Sequence, residues 1–455
     1  MEVPDSRPMV YDVAILGASG FTGKYVIREC LKFLNTSPAF RSMAIAGRSP
    51  SKLAAALEWA TRRVSPPESV SIVSADVYDS ASLLSLCSKT RLLLNCVGPF
   101  RLYGAPVVAA CVATGTDYLD ICGEPEFMER MEEYHDKAVE SGSLVISACG
   151  FDSVPAELGM IFNSRQWINP SAPNRVEAYL SLESDRRIIG NFATYESAIL
   201  GLANASSLQE LRRSKPRRTR PKIPGPHPPK GPVIDNNKEI GLWSVKLPSA
   251  DHAVVRRTLS TLQANPSGLS GIEETPEQAA TRKAFWSTVK PSHFGVKIAS
   301  KSLIGIIRYI IVGIFMGLLG KFCIGRWLLL KFPSFFSLRI FRKRGPSEDE
   351  VQSASFKMWF VSEGFSNVNQ ISETDKPNLD AKIITRVTGP EIGYIGTPII
   401  LTQCALILLS ERNILPKGGV LPPGIVFGST HLQQRLQQNG FTFDVISKAT
   451  TSRSF

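Results

Sequence analysis

The chain has 455 residues, 43% of them apolar, and a formal net charge of +12, which is enough for two or three domains with their own cores. Its eight cysteines include no C-x-x-C pair and its five histidines no H-x-x-H or H-x-x-x-H pair. That excludes a disulfide scaffold, points to a reduced compartment and leaves no metal-ligand spacing. The charge is regional: thirteen Lys/Arg and no acid lie between Gln278 and Ser347, and seven more with no acid lie in 212–222; without these twenty the remainder stands at −8.

About a dozen residues, Glu2 and Asp5 among them, precede the first apolar run. This short acidic leader predicts neither a secretory signal nor a cleaved presequence, so the chain is expected not to be secreted. Residues 13–16 read as a strand, the string GASGFTG follows at 17–23, and 24–31 has a helical pattern. A strand, a glycine turn and a helix start in that order form a pyrophosphate site, here Gly17, Ala18, Ser19, Gly20, Phe21, Thr22 and Gly23. The glycines let the backbone turn and approach the phosphates, and the helix start offers free N–H groups and the positive end of its dipole. The spacing is G-x-x-G-x-x-G, so the surrounding order of elements carries the signal; the other reading is an ordinary strand–helix turn. Tyr25 stands where a P-loop needs Ser or Thr.

Further strands are expected at 43–46, 69–75, 91–95, 117–120 and 143–147, separated by helical segments, which makes a parallel sheet with ligands at the strand ends. After the second strand an acid would hold the ribose 2′-hydroxyl of NAD. This chain has Arg48, then Ser49 and Lys52. A guanidinium takes a 2′-phosphate bidentately, a bond of about 1.5–3 kcal/mol, so NADP is expected over NAD. Asp76 and Val77 end the third strand. Asp76 suits the adenine amine or, alternatively, caps the next helix. Asn95, Cys96, Val97, Gly98 and Pro99 close the fourth strand with a turn beside the expected nicotinamide ribose; the alternative is a plain strand-ending turn.

Catalysis is less legible. No tyrosine has a lysine four residues on and there is no G-x-S-x-G elbow. The candidates at strand ends are Tyr103, Asp120, Glu124 and Asp152. Tyr103 also reads as a packing residue, Glu124 as a first-turn acid of a helix at 125–138, and Asp152 as a cap before Pro155.

In the middle of the chain, 212–230 carries interleaved prolines and reads as an exposed, non-helical basic loop. No aromatic interleaving or known module accompanies it, so nucleic acid is not an expected partner. Residues 303–320 are apolar with one charge, Arg308, and as a helix would span roughly 27 Å. Arg308 could snorkel to headgroups, and Gly313, Gly317 and Gly320 share a helical face that permits close packing. Residues 322–341 are apolar but broken by charges and Pro333, with Trp327 and phenylalanines suited to an interface. The expectation for 297–344 is an interfacial or hairpin anchor, its cations gaining about 1 kcal/mol each near anionic lipid. A bilayer span and a buried helix pair are the alternatives.

Taken together, GASGFTG, AGR at 46–48, NCVGPF at 95–100, YGAPVVAAC at 103–111, DICGE at 120–124, GFDSVPAELG at 150–159, GPEIGYIGTP at 389–398 and GGVLPPG at 418–424 resemble the saccharopine dehydrogenase-like oxidoreductases. The likeness is to their membrane- and lipid-droplet-associated branch. It implies an α/β chain: a Rossmann-type doubly wound parallel sheet at 1–155, an inserted α+β substrate domain at 156–380 carrying the apolar segment, and a C-terminal return at 381–455. It implies a membrane-associated NAD(P)-dependent oxidoreductase, facing the cytosol on a lipid droplet or, alternatively, a mitochondrial membrane, acting on an apolar or lipid-linked substrate, with a homodimer as an open state. A saccharopine dehydrogenase of lysine catabolism and a catalytically silent nucleotide-binding scaffold remain as alternatives.

Overall fold

The computed structural model describes residues 9–62, 65–229, 231–370 and 379–450. Two units divide the chain. The first takes Met1–Phe151, Ser270–Glu274 and Gly393–Pro423; the second takes Asp152–Leu269, Thr275–Ile392 and Gly424–Phe455.

The first unit is a seven-stranded, all-parallel sheet. Strands β1 (Tyr11–Leu16), β2 (Met43–Gly47), β3 (Val70–Ser74), β4 (Thr90–Asn95), β5 (Asp117–Asp120) and β6 (Leu144–Ile146) lie in the order β3-β2-β1-β4-β5-β6, and Gly419–Val420 extends the sheet beside β6. This is the doubly wound order, with its switch point between β1 and β4. The central strands are continuous apolar runs because helices cover both of their faces; Val13–Leu16, for example, are all buried. The helices α1 (Phe21–Leu31), α2 (Pro50–Ala60), α3 (Ser80–Cys87) and α4 (Phe100–Thr114) each follow one of the first four strands. Residues 125–138, expected as one helix, break into Pro125–Arg130, a 3-10 turn Met131–Tyr134 and His135–Ser141.

Helix Thr397–Glu411 completes this unit. The stretch Ile392–Ile414 is long and apolar enough to cross a membrane, yet every residue from Thr397 to Leu409 is buried. It is a core helix: the Cys30 thiol meets the Thr402 hydroxyl at 3.5 Å, and Arg91 donates to the Leu409 carbonyl at 3.2 Å.

The second unit has a seven-stranded mixed sheet. Its order is Thr442–Thr450, Ala381–Pro390, Ala354–Phe365, Ala172–Ser184, His293–Ser300, Leu242–Lys246, Ile234–Asn237. Here the sequence expectation fails for part of the C-terminal segment. Of the strands in 381–455, Gly419–Val420 joins the nucleotide sheet, whereas Ala381–Pro390 and Thr442–Thr450 do not. Ala381–Pro390 pairs antiparallel with Ala354–Phe365 on one edge and with Thr442–Thr450 on the other. Only 393–423, with 270–274, belongs to the first unit. Strand patterning sets which face is buried; the pairing partner is set by contacts remote in sequence.

The basic loop also differs from expectation at its start. Arg212 and Arg213 form the last turn of helix Ala205–Ser214, where cations suit the carboxyl end of the dipole. The helix stops at Lys215, whose extended backbone precedes Pro216. Beyond it the chain is fastened to the sheet: Asn174 donates to the carbonyls of Pro224 and Pro226 at 2.7 and 3.0 Å.

Candidate functional site

The glycine string turns between β1 and α1. Gly17 has φ +80°, a region open to glycine, and donates to Ala46 at 3.0 Å; a Cβ there would lie 2.7 Å from Val97. A Cβ on Gly23 would lie 2.3 Å from the Gly17 carbonyl oxygen, so the turn closes only around glycine. Gly20 is the N-cap of α1 and no side chain caps that helix. Ser19 and Gly20 are exposed, Ala18 and Gly23 buried, Phe21 and Thr22 half-buried. Phe21 is held by the Tyr394 ring, 4.8 Å away edge-on. The result is a helix amino end with its backbone donors left for an anion.

At the end of β2, Arg48 and Lys52 are exposed, and Ser49 caps α2 by accepting from the Lys52 N–H. At the end of β3 the expected alternatives for Asp76 separate. Asp79, not Asp76, caps α3, accepting from Ala81 and Ser82. The half-buried Asp76 accepts from the Tyr78 N–H at 3.1 Å, and its loop is held by Ser82. Val77 is half-buried beside it.

The turn after β4 is tied from within. Asn95 is fully buried, accepts from the Val97 N–H at 2.9 Å and donates to the Tyr118 hydroxyl at 3.1 Å. That hydroxyl donates to Asp120 at 2.9 Å, which also accepts from the Cys122 and Ala148 N–H groups at 2.9 and 2.8 Å. Asp120 is 0% exposed, and burial pushes its carboxyl up to about 6. It joins the ends of β4, β5 and β6 and is not placed to meet a substrate. Cys96 and Val97 are half-buried, Gly98 is exposed and Pro99 buried; desolvation raises the Cys96 thiol above its usual range, which favours its protonated form.

Glu124 is likewise engaged. Its carboxylate accepts from the Phe100 N–H at 2.9 Å and the Arg101 N–H at 3.0 Å, capping α4 across 24 residues of sequence. Pro99, the N-cap residue itself, makes no such bond. Glu124 is also the N-cap residue of Pro125–Arg130 but does not cap it. Replacing it with Ala leaves two helix-start donors, one of them buried, without their acceptor. A loss of about 2–4 kcal/mol is expected, read as a lower melting temperature of the nucleotide unit by calorimetry, with Gln recovering part of it. Tyr103 is half-buried, edge-on to Tyr78 at 5.8 Å.

Asp152 opens the second unit. Ser153 is the N-cap residue of helix Val154–Ser164 and makes no side-chain cap bond, so the capping reading of Asp152 does not apply. Asp152 is exposed by its own surface, yet surrounding atoms are dense enough that desolvation raises its carboxyl. Sequence reading passed over two acids of this unit, Asp251, on which the charges of Asp152 and Glu157 both act, and Glu157 itself. Glu157 sat in view within GFDSVPAELG; nothing local marks Asp251. Among the described residues no group of His, Cys, Asp or Glu could hold a metal ion.

Residues 13–146 match the saccharopine dehydrogenase NADP binding domain. An Arabidopsis thaliana protein bearing the name "probable mitochondrial saccharopine dehydrogenase-like oxidoreductase" is 63% identical over 98% of this chain and 99% of its own length. The human saccharopine dehydrogenase-like oxidoreductase is 36% identical over 98% of this chain and 99% of its own. The chain belongs to the saccharopine dehydrogenase-like oxidoreductases. A Caenorhabditis elegans relative, named lipid droplet localized protein, is 31% identical over 96% of this chain and 99% of its own. Among solved structures, saccharopine dehydrogenase (L-Glu forming) of Saccharomyces cerevisiae superposes with a TM-score of 0.50 over 96% of this chain and 99% of that one, at 13% identity, which establishes a shared fold.

The first unit is thus the NADP-binding domain of an oxidoreductase family, and its residues fit that cofactor. Glycine is sterically required at Gly17 and Gly23, the start of α1 lacks a side-chain cap, and the end of β2 carries cations with no acid. When bound, the cofactor would supply or accept a hydride, and these residues would hold and orient it.

Proposed function

We propose that this oxidoreductase uses NADPH to reduce an apolar or lipid-linked substrate while lying on a lipid surface, that of a cytosol-facing lipid droplet, with the mitochondrial membrane as the alternative. The outer face of helix Leu303–Leu319 carries this reading. Ile304, Ile307, Ile311, Ile314 and Leu318 recur at helical spacing and are all exposed, Ile304 at 78% and Leu318 at 61%. The face continues through Phe322, Ile324, Trp327 and Phe335 on the helices Cys323–Lys331 and Pro333–Phe336 and the turn before them. A contiguous patch of this kind marks an interaction surface.

The opposite face belongs to the protein. Ile306 is buried, and Val312 and Met316 pack with Tyr195, Ile199 and Leu329. A helix with one face bound to its own unit lies in an interface and does not cross it. Arg308 donates to the Leu338 carbonyl within the unit, in place of the snorkelling expected from sequence. No atom comes within 4 Å of a Cβ built on Gly313 or Gly317, so no helix uses that face among the described residues. Lys321, Lys343 and Arg344 are exposed and have no acidic partner among the described residues, which suits anionic headgroups. The name of the worm relative, lipid droplet localized protein, supports a droplet surface.

In the nucleotide unit, residues 17–23 would hold the pyrophosphate, Arg48 and Lys52 the 2′-phosphate, Asp76 the adenine amine, and the turn Asn95–Cys96–Val97–Gly98–Pro99 the nicotinamide ribose. The engagement of Asp120 and Glu124 in backbone contacts favours one second reading, a nucleotide-binding scaffold without turnover. Incubating the detergent-purified protein with NADPH and a library of lipid aldehydes, ketones and enones decides between them. NADPH oxidation with at least one class is expected; cofactor binding with no oxidation across the library favours the scaffold.

A further inference from the structure

Among the described residues, the exposed Phe, Tyr and Trp side chains fall into two places. Phe322, Trp327, Phe332 and Phe335 belong to the apolar face described above; the other is Tyr78 of the nucleotide unit, 73% exposed. Tyr78 is held in place. Its N–H donates to the Asp76 carboxylate at 3.1 Å. Ser82 fastens the same loop, accepting from the Asp76 N–H at 3.1 Å and donating to the Asp76 carbonyl at 3.3 Å. The ring of Tyr103 stands against the Tyr78 ring with centroids 5.8 Å apart and planes at 86°. A perpendicular pair leaves at least one face of the Tyr78 ring uncovered. A ring that is fixed but open to water has given up side-chain freedom without burying its surface, which is the state of a surface made ready for a flat partner.

The position of the ring names that partner. The Ala75 N–H donates to the Gly47 carbonyl at 3.1 Å, which holds the loop after β3 against the loop after β2, where Arg48 begins. Helices α3 and α4 pack side by side, and the contact of Tyr78 with Tyr103 joins the segments that open them, at the carboxyl ends of β3 and β4. A dinucleotide lies along those strand ends. The cation suited to the 2′-phosphate, the acid suited to the adenine amine and the open ring therefore share one end of the cofactor site.

We propose that the adenine ring of the cofactor stacks on the open face of Tyr78, and that Tyr103 is the positioning residue that holds the Tyr78 ring for it. This rests on the NADP-binding assignment above. Adenine presents a π face and an amine edge; Tyr78 takes the face and Asp76 the edge. Tyr103, a candidate for chemistry from sequence, acts through Tyr78. NADPH and NADH carry the same base, so Tyr78 adds affinity for both, while Arg48 discriminates between them.

The test is calorimetric titration of the full-length protein with NADPH, NADH and adenosine 2′,5′-bisphosphate, which keeps the adenosine end and lacks the nicotinamide. Tyr78→Ala is expected to weaken all three by the same factor, about fivefold to a hundredfold, with the ligand-free melting temperature unchanged because the ring already meets solvent. Tyr78→Phe keeps the ring and should stay within about twofold of wild type. Tyr103→Ala should cause a smaller loss, and none when added to Tyr78→Ala; a separate structural role for Tyr103 would show its loss in both backgrounds. Unchanged affinity in Tyr78→Ala overturns the proposal. So does a loss for NADPH that the bisphosphate does not share, or a Tyr78→Phe variant as weak as Tyr78→Ala, which would place the contact on the hydroxyl. Wild type that binds none of the three overturns the cofactor assignment and the stack with it.

Discussion

The triple variant Ile304→Glu, Ile314→Glu, Leu318→Glu is expected to lose flotation with anionic phospholipid vesicles while keeping its melting temperature. All three side chains are on the outer face of helix Leu303–Leu319 and already meet solvent, at 78%, 52% and 61% exposure. Their replacement therefore costs the folded protein in water little. In a lipid interface each gains about 1.5 kcal/mol or more by burial. Three together set the affinity by about a thousandfold, before adding the repulsion between glutamates and an anionic surface. Val312→Glu is the contrasting case: that side chain is in the core with Tyr195 and Leu329, and its replacement should unfold this part of the second unit whether or not lipid is present. Wild-type flotation that survives the triple variant would place the lipid contact elsewhere.

Arg48→Ala is expected to raise the NADPH dissociation constant by about ten- to a hundredfold and the NADH constant by less than twofold. Arg48 is exposed at the end of β2 and makes no ion pair among the described residues, so little native structure depends on it. A bidentate bond to the 2′-phosphate is worth about 1.5–3 kcal/mol, and Lys52 retains part of the charge interaction. NADH lacks the phosphate and should not register the change. Calorimetric titration of each cofactor into both proteins measures this directly. Equal losses for both would mean that Arg48 supports the loop and does not select the phosphate.

The parallel sheet was legible because buried parallel strands are written as apolar runs. All six expected strands are present with ends shifted by at most two residues, and residues 303–320 form a helix with the same start. The glycine string was legible for a related reason: turn, spacing and helix start are local. What escaped the sequence is non-local. Glu124 caps a helix that begins 24 residues earlier, which no local pattern encodes. Asp120 stands at a strand end like a functional acid, but Tyr118, Asn95 and two backbone donors claim it. Strand Ala381–Pro390 pairs with Ala354–Phe365 and Thr442–Thr450, and no local pattern states which sheet a strand joins. Asp251 follows Ser249 as an ordinary first-turn acid; only the packing of helix Ala250–Ala264 on helix Val154–Ser164 brings it within reach of the Glu157 charge.

The most direct measurement is the binding of NADPH and NADH to the wild-type, detergent-purified protein, followed by nicotinamide fluorescence. The account predicts saturable binding with NADPH preferred over NADH by at least tenfold. Binding of neither cofactor, or equal binding of both, would contradict it.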